Sequence, residues 1–206
     1  PTAAEIFSMA ESLGTLIDDL LTEERSPADL RAIAPELEAN LGAYWGQTLR
    51  FLDIALRYWP QYLLAKGKAD PAELRRLRLE RQADAAPFLH GDRPVIAAGS
   101  TGSIPATARL LTAINNLPRG ALVLPGLDTS LSPADLAGLR DPANNPHGHP
   151  QYGLAKLLHT LHATAEDVRE LAPAPHPRTT LVRLALALTR DTAHWVEQRL
   201  APADLA

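Results

Sequence analysis

The sequence predicts a mostly helical α/β fold, in which a helical subdomain is followed by a small parallel βαβ layer. Three observations point there. Apolar residues repeat at helical spacing through about the first ninety residues. Two short apolar runs follow, each closing on a glycine-containing turn, and a helical stretch joins them. The expected organisation is residues 1–90 as the helical subdomain, 91–171 as the βαβ segment, and 172–206 as a proline-rich connector with C-terminal helices.

The first helix is read from Ile6, with apolar residues at Met9, Ala10, Leu13, Leu16, Ile17, Leu20 and Leu21. At about 100° per residue these fall within about 140° of one face, opposite Glu11, Thr15, Asp18 and Asp19. Ser26-Pro27 reads as an N-cap followed by proline at the first helical position, with Asp29 in the first turn. A long helix is expected from Leu41 to Trp59. Leu41, Trp45, Leu49, Leu52, Leu56 and Trp59 form its apolar face, widened by Tyr44, Thr48, Phe51 and Ala55, with Arg50, Asp53 and Arg57 opposite. Pro60 should kink or end it, because proline lacks the backbone donor and clashes one turn back. Lys66-Gly67-Lys68 looks like a helix end, and Asp70-Pro71 caps the next start.

After Ala86-Pro87 the pattern changes. Pro94 to Ala98 is a short apolar run with the look of a buried parallel strand. A turn follows at Gly99 to Ser103, then a helix from Ile104 to Asn116 with Ser103 as its N-cap. Leu117-Pro118-Arg119-Gly120 breaks that helix before a second strand, Ala121 to Leu124. Strand, helix, strand in about thirty residues is a βαβ unit with a right-handed crossover. Ser130 to Pro150 is loop-rich with one short helix begun by Ser132-Pro133. Tyr152 to Leu161 and Leu181 to Leu200 read as helices, separated by a proline-rich stretch from Ala172 to Pro177.

Composition narrows the function classes. The net charge of −4 gives no overall basic field toward nucleic acid or an anionic membrane, although a local patch remains open. With no cysteine, the chain can hold no disulfide, thiolate metal site or iron–sulfur cluster, and a reducing cytoplasm is the simplest setting. No apolar stretch is long enough to suggest a membrane span. The chain opens on Pro1, which is read as the start of a cut-out segment.

The turn Gly99-Ser100-Thr101-Gly102-Ser103 is the most suggestive local feature. Glycines and hydroxyls at a helix start can hold an anion through backbone N–H groups, but a tight βα turn with a serine cap is the commoner reading of such residues. It is neither a Walker A loop nor a dinucleotide fingerprint. Arg75, Arg78 and Arg81 form a stripe, with Arg76 beside it, that could touch phosphates or stand solvated and paired with Glu73 and Glu80. His147 and His149 share a loop, and His159 and His162 are three apart on one helical face, a spacing compatible with metal but lacking a third ligand. Trp45 and Trp59 could stack bases or pack in the core. Asp128 ends the second strand region alone. No catalytic residue and no metal site is expected.

Four stretches, read together, resemble one family. They are Gln47 to Ile54 with Trp59-Pro60, Pro94 to Thr107, Gly120 to Asp128, and His149 to Leu154. In order along the chain they are similar to the AddB family of the alphaproteobacterial type, whose members partner AddA in a double-strand-break repair helicase–nuclease. The resemblance implies a piece of the superfamily-1 helicase-like half of a longer protein. The magnesium and the iron–sulfur cluster of the parent's nuclease domain would lie outside this segment. Active helicases of that superfamily end such a strand in Gly-Asp, with a glutamine soon after that senses nucleotide. On that reading Ser100 stands in the aspartate's place and Ser103 or a neighbour in the glutamine's, so ATP-driven movement is lost. The implied role is a scaffold that scans single-stranded DNA and binds an AddA-like subunit, as part of a hydrolase complex. The competing expectation is an independent α/β protein binding a phosphorylated small molecule at Gly99 to Ser103.

Overall fold

The computed structural model describes residues 2–32, 43–171 and 179–187. It is a mostly helical α/β fold with one two-stranded parallel sheet among the described residues. Its contacts divide it into two compact units, Pro1–Gly91 with Ile104–Ala113, and Asp92–Ser103 with Ile114–Ala206.

In the first unit, α1 (Ala3–Thr22) opens on a capping box: the Thr2 hydroxyl accepts from the Glu5 N–H and the Glu5 carboxylate accepts from the Thr2 N–H. Ile17 and Leu20 are buried, whereas Ile6, Phe7 and Met9 are exposed. The apolar face expected from Ile6 onward is therefore covered only toward its C-terminal end, and the helix it packs on is the one over Pro71–His90. The short α2 (Pro27–Ala32) is stapled as expected, with Asp29 accepting from both the N–H and the hydroxyl of Ser26 at 2.6 and 2.8 Å.

Helix α3 (Ala43–Ala65) corrects two expectations. Of the kink or end expected at Pro60, the end does not occur: the helix continues past Trp59 through Pro60 to Ala65. Proline removes only its own donor, and side chains on either side of it are tied together: Trp59 stacks on Tyr62 and bonds to Asp70. Phe51, read as part of the packed face, is exposed. The end of α3 falls at the glycine as expected. Gly67 is left-handed at φ 61°, which lets the Lys68 N–H reach back to the Leu63 carbonyl at 2.9 Å. Helix α4 (Pro71–His90) starts on Asp70, whose side chain accepts from the Ala72 N–H at 2.8 Å.

An ion network joins the rest of this unit. Arg76 donates to Glu73 and Glu80 along α4. Arg109, from α5 (Pro105–Asn115), donates to Glu80 at 2.7 Å and to both carboxylate oxygens of Glu24 just after α1. Ala106, Ala108 and Leu111 are the buried residues of α5.

In the second unit, β1 (Val95–Ala98) and β2 (Gly120–Val123) pair in parallel, Val95 opposite Gly120 and Ala98 opposite Val123. The expectation of a fully buried first strand does not hold: Ile96 is 67% exposed, and Ala98 and Ala121 are exposed beside it. With only two strands among the described residues, one face of the sheet is left bare. The core lies beyond β2. Leu136 and Leu139 of α6 (Pro133–Gly138) and its exit meet Ala155 and Leu158 of α7 (Tyr152–Thr160), with Ala165, Leu124, Leu127 and Leu131 packed around them. Ser132 caps α6 as expected, in a capping box with Asp135. Of the C-terminal region, α8 (Thr179–Ala185) is described; the connector from 172 to 177 and the helix expected beyond 187 lie outside the described residues.

Candidate functional site

The turn after β1 is held by its own atoms. Gly99 and Gly102 take left-handed backbone at φ 80° and 59°, which glycine adopts without a Cβ clash. The Ser100 hydroxyl accepts from the Gly102 N–H at 3.2 Å, so this hydroxyl closes the turn on itself. Helix α5 begins at Pro105, and the Ile104 carbonyl accepts from the Ala108 N–H. Ser103, expected as the N-cap, therefore stands one residue too early.

The start of α7 occupies the carboxyl ends of both strands. Gly153 lies so close to the turn that a Cβ there would meet the Ser103 Cβ at 3.2 Å and the Thr101 Cβ at 3.5 Å. Gln151 plugs the end of β2, its Nε2 donating to the Gly126 carbonyl at 2.9 Å and its Oε1 accepting from the Asp128 N–H at 3.2 Å. One turn on, the Lys156 ammonium sits 3.5 Å from the Ser103 carbonyl and 5.3 Å from the Tyr152 ring centroid. Gln151 and Gly153 fall in the His149 to Leu154 stretch that carries the family resemblance, but nothing in the sequence gives them or Lys156 a role at this turn.

The other candidates separate. Arg75, Arg78 and Arg81 are exposed and make no ion pair among the described residues, while Arg76 takes both glutamates. Hydrogen bonding from Arg76 holds the Glu73 carboxyl below its ordinary value. Trp59 is half-buried, with its indole N–H on Asp70; the Trp45 side chain lies outside the described residues. Asp128 is not a free acid: its Oδ1 accepts from the N–H and hydroxyl of Ser130 at 3.0 and 2.6 Å and faces the Arg183 guanidinium at 3.2 Å.

The histidines do not converge. Helix α7 ends at Thr160 and His162 is left-handed at φ 54°, so His159 and His162 do not share a helical face as expected. His147 packs edge-on against Tyr152, with centroids 5.0 Å apart. The His149 Nδ1 accepts from the Gln151 N–H at 3.1 Å, which assigns its proton to Nε2, 2.6 Å from the Leu186 carbonyl. That ring borders a cavity of 640 Å³ lined by Leu139, Asn144, Asn145, Pro150 and Leu186. No group of three or more histidine, aspartate or glutamate side chains suited to a metal occurs among the described residues. No described helix is long and apolar enough to cross a membrane.

The fold and these contacts define a mostly helical α/β protein in which Gln151 ties the loop after β2 and Gly153 lies against the turn after β1. No family model, curated protein or solved structure matches the chain.

Proposed function

We propose that the chain is a catalytically silent segment of the helicase-like half of an AddB-type break-repair subunit. In that role it serves as scaffold and as a surface for single-stranded DNA and an AddA-like partner, in a cytoplasmic helicase–exonuclease. The observation that carries the reading is the end of β1. It runs into Gly99-Ser100 with no acid in the turn, the Ser100 hydroxyl is spent on Gly102, and Gln151 and Gly153 fill the adjoining strand ends. A magnesium nucleotide needs charged partners that this turn does not offer. The bare sheet face at Ile96 also fits a lobe completed by further chain, since parallel sheets are ordinarily covered on both sides.

Titration calorimetry with magnesium ATP tests the silence directly, and the expected result is no heat of binding. Co-elution with an AddA-like subunit in size-exclusion chromatography tests the partner. Tight nucleotide binding or ATP turnover by the isolated chain would end the reading. The competing phosphorylated small molecule at Gly99 to Ser103 is disfavoured by the same filled strand ends, and titration with inorganic phosphate addresses it.

A further inference from the structure

Helix α3 carries an exposed face that its packing does not use. At about 100° per residue, Phe51, Ile54, Tyr58 and Tyr62 fall within about 80° of one another. They are 51%, 67%, 62% and 41% exposed. The rings of Tyr58 and Tyr62 lie 6.1 Å apart, tilted by 30°, and Trp59 stacks on Tyr62 at 6.0 Å and 19°. The Lys66 ammonium sits 5.7 Å from the Tyr62 centroid. Because the Trp59 indole is tied to Asp70, the ring beneath Tyr62 is fixed in place.

Charge separates the possible occupants. From Thr48 to Lys68 the segment holds Arg50, Arg57, Lys66 and Lys68 against the single acid Asp53, in a chain of net charge −4. Asp53 is itself paired with Arg57. A purely apolar partner would use the rings and Ile54 but leave the local cationic excess without a purpose. Exposed rings beside cations meet both demands of a single-stranded nucleic acid, stacking for the bases and charge for the phosphates. We propose that the Phe51–Tyr58–Tyr62 face of α3 stacks the bases of single-stranded DNA, with Arg50, Lys66 and Lys68 toward its backbone. The face spans about 16 Å from Phe51 to Tyr62, taken from the helical rise. The choice of DNA rests on the proposed function; the stacking face rests on the helix alone.

The experiment is fluorescence anisotropy with a labelled oligothymidylate and a duplex of equal length, at low and moderate salt, on the 206-residue chain. The expected result is saturable binding that prefers the single strand. Tyr58→Ala/Tyr62→Ala should weaken it about tenfold or more, whereas Tyr58→Phe/Tyr62→Phe, which keeps both rings, should bind within about twofold of the parent. If circular dichroism shows the double alanine variant unfolded, Tyr58→Ala alone decides, since that ring stands well out of the fold. No saturable binding by the parent, unchanged affinity of the alanine variants, or preference for duplex overturns the proposal. So does a parent that self-associates through these rings while its DNA binding ignores them. An ATP-turnover assay on the same preparation keeps the two ideas apart: turnover defeats the silent-helicase reading and leaves the stacking result standing.

Discussion

The indole N–H of Trp59 donates to Asp70 at 2.9 Å, while the second oxygen of the same carboxylate accepts from the Ala72 N–H at 2.8 Å. One buried acid thus caps α4 and anchors the last turns of α3. It also orients Trp59, and through it Tyr62, so the exposed ring pair is built on a fixed base.

Removing that acid should be costly. Asp70→Ala loses an N-cap, worth about 1 kcal/mol, and leaves a half-buried indole donor without its partner, worth about 1–2 kcal/mol more. Trp59→Phe should cost about 1 kcal/mol. Urea unfolding of both variants and of the double mutant checks this. A coupling energy near zero in that cycle would mean that the bond does not link the two helices.

Gly120 has no substitute. A Cβ there would stand 1.7 Å from the Ile114 carbonyl oxygen and 3.2 Å from the Leu117 Cβ, and the first obstacle is backbone that cannot swing away. Gly120→Ala should therefore destabilise by about 3 kcal/mol or more, beyond the range of an ordinary surface change. At Gly126, φ is 63° and an added Cβ would meet nothing within 4 Å, so Gly126→Ala should cost only about 1 kcal/mol of backbone strain. Thermal melts of the two variants should rank them in that order; equal melting points would contradict the steric account.

Much of the fold was legible because its signals are local. Ser26, Asp70 and Ser132 each announce a helix start through a side chain that bonds two or three residues on, and the structure places helices there. Gly67 announced an end for the same reason. Pro60 does not end its helix, because proline forfeits one donor and the turns that follow still form, with Trp59 and Tyr62 stacked across it. The buried β1 misled too: an apolar run shows what a strand could bury, and Ile96 is bare because no second layer covers it among the described residues. At the candidate site the turn glycines were readable, while Gln151 was not. Its two bonds cross 25 and 23 residues of sequence, and no spacing rule connects positions so far apart.

Acid should loosen the helix starts. Arg76 holds the Glu73 carboxyl below its ordinary value of 4.5; the N–H and then the hydroxyl of Ser26 hold Asp29 below 3.8, and those of Thr164 do the same for Asp167. A carboxyl with a depressed folded value adds stability that is full above the unfolded value and is lost as pH falls through the folded one. The denaturation midpoint should accordingly be flat above about pH 5 and decline below the ordinary carboxylate range, modestly because these groups are solvent-facing. Glu73→Gln should flatten part of that decline. A midpoint that rises on acidification would contradict these assignments.

Gln151 offers the sharpest test of the filled strand ends. Its amide donates to Gly126 and accepts from Asp128, a pairing that needs one donor and one acceptor on the same side chain. Gln151→Glu keeps the shape but turns the donor into a second acceptor facing a carbonyl, so it should destabilise more than Gln151→Ala, which merely removes the plug. Only the alanine variant, which loses the acceptor, should directly speed hydrogen exchange at the Asp128 amide, and it should cost about 1–2 kcal/mol. If the plug fills space in a scaffold and does not guard a ligand site, emptying it will not create phosphate binding. Calorimetry of Gln151→Ala with inorganic phosphate should stay silent, and heat of binding there would show that the loop from Gly126 to Asp128 had been an anion site held shut by this side chain.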